Sequence, residues 1–338
     1  MLRPTAESAP VVLDSFLEGS APRLQSLWFD GIPFRALGKL LLSTRHLSEL
    51  CLDNIPCSGY ISPDTMVSGL SGLMRLRTLF LQFQFPRPRA LRERRVAPSP
   101  TRIVLPALAY LCFKGDSEYL EDMLSRMETL NVNVYIRITF FNQLVFDTPL
   151  LRNLINRVET FEAFHRAEIS FSSYNVLFVL FSKRGQAESE VPELGISCRP
   201  SDWQLSSLAQ VLGSSTTPLP TLERLELREG RYPSQPRHWK DDIENAQWLE
   251  ILCLFTSVKD LVLSGQLVQL ISPVLGDLVG ERETEELPAL HNIFVEGVLP
   301  SGSESLPWQK AIAQFITARQ ISGLPVAVHY PVNTVGDT

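Results

Sequence analysis

Apolar positions in this chain recur in a short fixed phrase. LPALAYLCFKG begins at Leu105, LPALHNIFVEG begins at Leu287, and LPTLERLELREG, with one extra residue before its glycine, begins at Leu219. Each carries the spacing L-x-x-L-x-L, with aliphatic or aromatic residues substituting at the last positions. Alternation over its second half puts the leucines on one side of a short strand, and such strands stack on their neighbours in a leucine-rich repeat. The same spacing predicts strands at 24–29, 47–52, 76–81, 108–113, 135–140, 193–198, 222–227, 258–263 and 290–295, with a closing strand over 325–330.

Between most of these strands the apolar period lengthens to that of a helix. Helices are predicted over 117–127, where Leu120, Leu124 and Met127 share a face, and over 147–158, which opens Asp-Thr-Pro like a capped first turn. Further helices are expected over 202–212, 244–255, 267–279 and 308–321. A strand alternating with a helix gives an α/β fold: a horseshoe-like leucine-rich-repeat solenoid of about ten irregular repeats. The parallel sheet lies on its concave side and the helices on its convex side. Around 161–181 the phase is unclear, although FEAFHRAEISF and NVLFVLF both look strand-like.

The edges differ. In residues 1–20, Val12, Leu13, Phe16 and Leu17 form one helical stripe, which reads as the helix half of a partial repeat; the expectation is a chain that starts in mid-solenoid. The solenoid is expected to run over 21–330, and 331–338 read as a polar tail. Within it, 86–102 is a loop, because Pro86, Pro88, Pro98 and Pro100 forbid regular sheet. Its six arginines and Ser99-Pro100 leave open a docking or import patch beside the simpler reading of a solvated insertion. The run 281–286 reads as an acidic loop.

Composition narrows the class. An apolar fraction of 44% with 20% charged residues is that of a folded chain. The net charge of −6 argues against a nucleic-acid partner and against an anionic membrane. Five cysteines without a CxxC pair suit apolar fillers in a reducing, intracellular setting, nucleus or cytosol undecided. No apolar run is long enough to span a bilayer. No GxGxxG, GxSxG or HExxH occurs, and Gly31 to Lys39 fails as a phosphate loop because the glycine spacing is too long and Leu40 follows the lysine. The histidines are scattered without ligand spacing. No catalytic residue, metal or cofactor is expected.

The informative constellation is the concave face. Residues between the inward leucines form a column reading Trp28, Cys51, Phe80, Cys112, Arg137, Gly195, Glu226, Val262 and Phe294, flanked by Tyr110, Tyr135 and Arg224. Aromatic residues and arginine are enriched at interface hot spots. Candidate partner-binding residues are therefore Trp28, Phe80, Tyr110, Tyr135, Arg137, Arg224 and Phe294. Two readings stay open for the aromatic half: anchors for a partner, or side chains packed laterally on one another.

With the repeats placed, longer phrases resemble one family. LQSLWFDGIPFRALGKLLLSTRHLSELCLDNIPCSGYISPDTM, LPALAYLCFKGDSEYLEDMLSRM, ITFFNQLVFDTP, SDWQLSSLAQV, WLEILCLFTSVKDLVLS and LPALHNIFVEG are similar to the leucine-rich-repeat region of the expanded F-box and F-box-like proteins of mushroom-forming (basidiomycete) fungi. The likeness runs from about Leu24 to Tyr330. It implies an intracellular ubiquitin-ligase adaptor whose repeats hold an unknown protein target, without catalytic residues. In that family an N-terminal F-box docks the Skp1 subunit of a cullin ligase. Nothing in the first twenty residues reads as that module, so Skp1 and cullin are expected partners only if an F-box is supplied upstream. The alternative is a truncated structural remnant or decoy with no dedicated partner.

Overall fold

The computed structural model describes residues 20–34, 36–86, 102–130, 134–157, 164–172, 175–184, 187–197, 201–214, 221–230, 245–278, 287–297 and 306–330. The expected N-terminal half-repeat, the arginine-rich loop apart from its ends, the acidic loop and the polar tail lie outside them. The chain divides into two compact units, Met1–Phe161 and Glu162–Thr338. Both are α/β, each with a mostly parallel sheet and helices.

In the first unit the strands are β1 (Ser26–Asp30), β2 (Glu49–Ile55), β3 (Thr78–Phe83), β4 (Ile103–Leu105), β5 (Tyr110–Gly115), β6 (Met127–Leu130) and β7 (Tyr135–Phe141). Its helices are α1 (Leu37–Ser43), α2 (Pro63–Leu70), α3 (Ser117–Leu124) and α4 (Pro149–Arg157). The strand order is β1-β2-β3-β5-β7, every pair parallel, with one register shift where β2 gains a residue on β3 between Leu52 and Ile55. The L-x-x-L-x-L positions become three buried rows: Leu47, Leu76, Leu108 and Val134; Leu50, Leu79, Leu111 and Ile136; Leu52, Leu81, Phe113 and Ile138. Truncating any of the leucines, isoleucines or Phe113 in these rows to alanine costs about 2–5 kcal/mol.

The repeated phrase enters each strand the same way. In LPAL the Leu108 N–H donates to the Leu105 carbonyl at 3.2 Å, and Leu290 to Leu287 at 3.1 Å, closing a turn with proline at its second position. One carbonyl then serves two successive amides of the next strand. Ser48 accepts from Arg77 and Thr78, and Arg77 accepts from Ala109 and Tyr110. The glycine that ends the phrase has two uses. Gly297 adopts a φ of +71°, whereas a Cβ on Gly115 would lie 2.6 Å from the Phe113 ring.

Several helix starts depend on neighbours. Ser62 caps α2 by accepting from the Thr65 N–H at 3.2 Å, with Pro63 in the first turn. For α4 the cap comes from α3: the Glu121 carboxylate accepts from the Leu150 and Leu151 amides, each at 2.8 Å. Helix α3 stops at Leu124, short of the expected Met127. There Met127 opens β6, which pairs with β4 in a separate two-stranded sheet.

The second unit holds β8 (Phe164–Phe171), β9 (Asn175–Arg184), β10 (Ala187–Ser197), β11 (Arg224–Glu229), β12 (Asp260–Ser264), β13 (Asn292–Glu296) and β14 (Ala327–His329). Its helices are α5 (Ser201–Ser214), α6 (Asn245–Leu252), α7 (Leu267–Asp277) and α8 (Pro307–Ile321). Strands β8, β11, β12, β13 and β14 pair in parallel, but β8-β9-β10 is an antiparallel meander. This corrects the expectation of an all-parallel sheet. The expected strand over 193–198 is the far end of β10, whose register shifts between Glu190 and Glu193, where Pro192 has no N–H to give.

Helix α7 is capped across the sheet, the Gln266 N–H donating to the Glu229 carboxylate at 2.7 Å. Arg319 of α8, 1% exposed, donates to the Leu290 carbonyl at 3.1 Å and so holds the LPAL turn that begins at Leu287. Among the described residues no helix is long and apolar enough to cross a membrane.

Candidate functional site

Every second residue of these strands points away from the helices, and the registers align them in rows. In the first unit the central row is Trp28, Cys51, Phe80, Cys112 and Arg137. The row before it is Ser26, Glu49, Thr78, Tyr110 and Tyr135; after it Asp30 pairs with Asp53 and, beyond the register shift between β2 and β3, Gln82 aligns with Lys114 and Thr139. The expected column is therefore in register within this unit, because a period of two fixes the face of every residue.

Its exposure is not uniform. Trp28 is 48% exposed, whereas Cys112, placed in the exposed column, is buried. The reason is its neighbours: Gln82 Nε2 sits 3.0 Å from Cys112 Sγ, and the aromatic rings beside it stack. Phe80 lies on Tyr110 with centroids 5.0 Å apart, and Tyr110 lies on Tyr135 at 4.9 Å with planes 5° apart. Lateral packing is thus what Phe80, Tyr110 and Tyr135 do, each remaining half-exposed at the surface of the stack. Each such ring pair contributes about 0.5–1.5 kcal/mol beyond burial. Arg137 is exposed at the end of the row.

Cys51 lies between Trp28 and Phe80. Burial first, then the charge of Asp53, with Cys112 and Asp30 adding to it, pushes its thiol up to about 12. It stays protonated at neutral pH and is a poor nucleophile.

No protein-family model matches the chain, and no curated protein matches it.

The second unit presents different chemistry on its open face. Its central row is Glu168, Glu226, Val262, Phe294 and His329, and beside it run Arg166, Arg224, Asp260 and Asn292. Glu226 and Val262, placed in the exposed column, are 2% and 0% exposed. Gly195 is buried as well. Arginine side chains lying across the sheet cover this face. Arg224 Nε donates to Glu226 Oε1 at 2.8 Å, Arg228 Nε donates to Oε2 at 3.0 Å, and Arg166 Nη1 stands 3.6 Å from Oε1. Arg228 also pairs with Glu296 at 2.9 Å, while the Arg166 guanidinium lies 3.8 Å from the Phe181 ring centroid.

Burial works to raise the Glu226 pKa, but hydrogen bonds from Arg224 and Arg228 and the charges of Arg166 and Arg228 hold it below the usual carboxylate range. Of the predicted binding residues, Arg224 is thus committed to Glu226. Phe294 is half-buried between His329, stacked at 4.7 Å, and the Arg224 guanidinium at 5.3 Å. Reading the strands one at a time missed Arg166 and Arg228. The signal was the R-x-E-x-R alternation from Arg224 to Arg228, which puts two cations beside one anion on the same face of a strand.

Proposed function

We propose that this chain is a non-catalytic recognition solenoid of leucine-rich repeats, the target-binding part of an F-box-type ubiquitin-ligase substrate receptor. A protein target docks on the open, concave face of the first unit. The observation that carries this reading is the aromatic row that ends in Trp28. Phe80, Tyr110 and Tyr135 make a rigid stacked platform, and beside it an indole is held out into solvent, 48% exposed on a strand whose inward residues are buried. A preorganised aromatic surface costs little conformational entropy to use, and interface energy concentrates in such residues.

Arg137 lies at the far end of the same row and serves as a rim contact. The second unit's face supports the scaffold, since its arginines and glutamates satisfy one another. Recovery of the target by the full chain tests the reading, comparing wild type with Trp28→Ala and Phe80→Ala. Loss of the target with both variants still folded is expected; equal recovery would refute a role for this face.

A further inference from the structure

Among the described residues, the charged side chains at the outward positions of the strands nearest Trp28 are all acidic. The outward positions of β1, β2 and β3 are Ser26, Trp28, Asp30; Glu49, Cys51, Asp53; and Thr78, Phe80, Gln82. None is basic. Glu49 and Asp53 are the diagonal neighbours of Trp28 across the β1–β2 pair. Glu49 accepts only from the Ser26 hydroxyl at 3.1 Å, and the Asp53 carboxylate only from the Asn54 amide at 2.9 Å, so among the described residues neither is in an ion pair. Burial first, and then the charges of Asp53 and Asp30, push the Cys51 thiol up. On the second unit's face, by contrast, arginines neutralise the carboxylates.

An indole face attracts a cation through its quadrupole, and flanking carboxylates strengthen that attraction. Two anionic side chains beside an open tryptophan would in turn repel an acidic partner. We infer that the segment docked on the first unit's face carries a lysine or arginine, whose cationic head lies over the Trp28 ring between Glu49 and Asp53. The inference rests on reading this face as a recognition surface and adds the chemistry of what it recognises.

The test is selection of a random dodecamer peptide library on the full chain, followed by affinity measurement of enriched peptides at two salt concentrations. Lysine- or arginine-bearing peptides should be enriched. Their affinity should fall about tenfold or more in Trp28→Leu, which keeps apolar bulk and removes the ring, and likewise in the double variant Glu49→Gln, Asp53→Asn. Added salt should weaken them, and Leu42→Ala, on the exposed side of α1, should leave them unchanged. Enriched peptides that need Trp28 but carry no cation, or that ignore the charge-neutralised variant, would overturn this inference and leave the recognition face standing. A library with no binder dependent on Trp28 would overturn both.

Discussion

The two open faces are built on the same strand spacing and satisfy themselves by opposite means. On the first unit, Phe80, Tyr110 and Tyr135 stack ring on ring, and Trp28 is left in solvent. On the second, Glu226 is sealed under arginines, and Asp260, Asn292 and His329 join in a polar chain, Asn292 Nδ2 donating to Asp260 at 2.8 Å and His329 Nε2 lying 3.1 Å from Asn292 Oδ1. A stack closes only along its members and leaves faces and edges for another molecule. A closed ionic network has used its charges already. The same repeat can therefore give a surface that receives or a surface that braces, depending on which residue types occupy the alternate positions.

The largest effect should come from breaking the brace. Glu226→Ala takes the shared carboxylate from Arg224, Arg228 and Arg166 and should cost about 3 kcal/mol in denaturant unfolding, because it removes the one buried anion on which all three converge. A loss below 1 kcal/mol would mean that the arginines simply turn to water. Breaking the stack should cost less: Phe80→Ala about 2 kcal/mol, with a Phe80–Tyr110 coupling of about 1 kcal/mol in a double-mutant cycle. A coupling near zero would reduce the platform to independent side chains.

Acid should separate the two faces. Because the folded pKa of Glu226 is depressed, its contribution is present above the unfolded-state value and is lost as pH falls through the folded one. Amide protection factors in β11 and β12, taken against the intrinsic exchange rate at each pH, should therefore fall on acidification below the usual carboxylate range. The Phe80–Tyr110–Tyr135 stack changes no charge in that window. The smallest effect on stability belongs to Trp28→Ala, expected at about 1 kcal/mol because nearly half of the residue already meets water.

The features legible in the sequence are those that depend on period. The rows Trp28–Cys51–Phe80–Cys112–Arg137 and Glu226–Val262–Phe294 follow from alternation, and the registers align them. Facing outward did not make Cys112, Glu226 or Val262 exposed, since cover comes from the long side chains of adjacent strands. The β9 strand escaped phasing because Val176, Phe178, Val179, Leu180 and Phe181 are all buried, so alternation vanishes. The caps from Glu121 to α4 and from Glu229 to α7 join residues distant in sequence. No local pattern announces them.

The central claim is that the first unit meets its partner through the open sheet face. A photo-crosslinking residue placed at position 28 and, separately, at position 42 of the full chain compares that face with the helix side, both sites being exposed. One discrete adduct is expected from position 28, lost when Phe80 is also replaced by alanine, and none from position 42. An adduct from position 42 alone, or the same adduct from both, would contradict that claim.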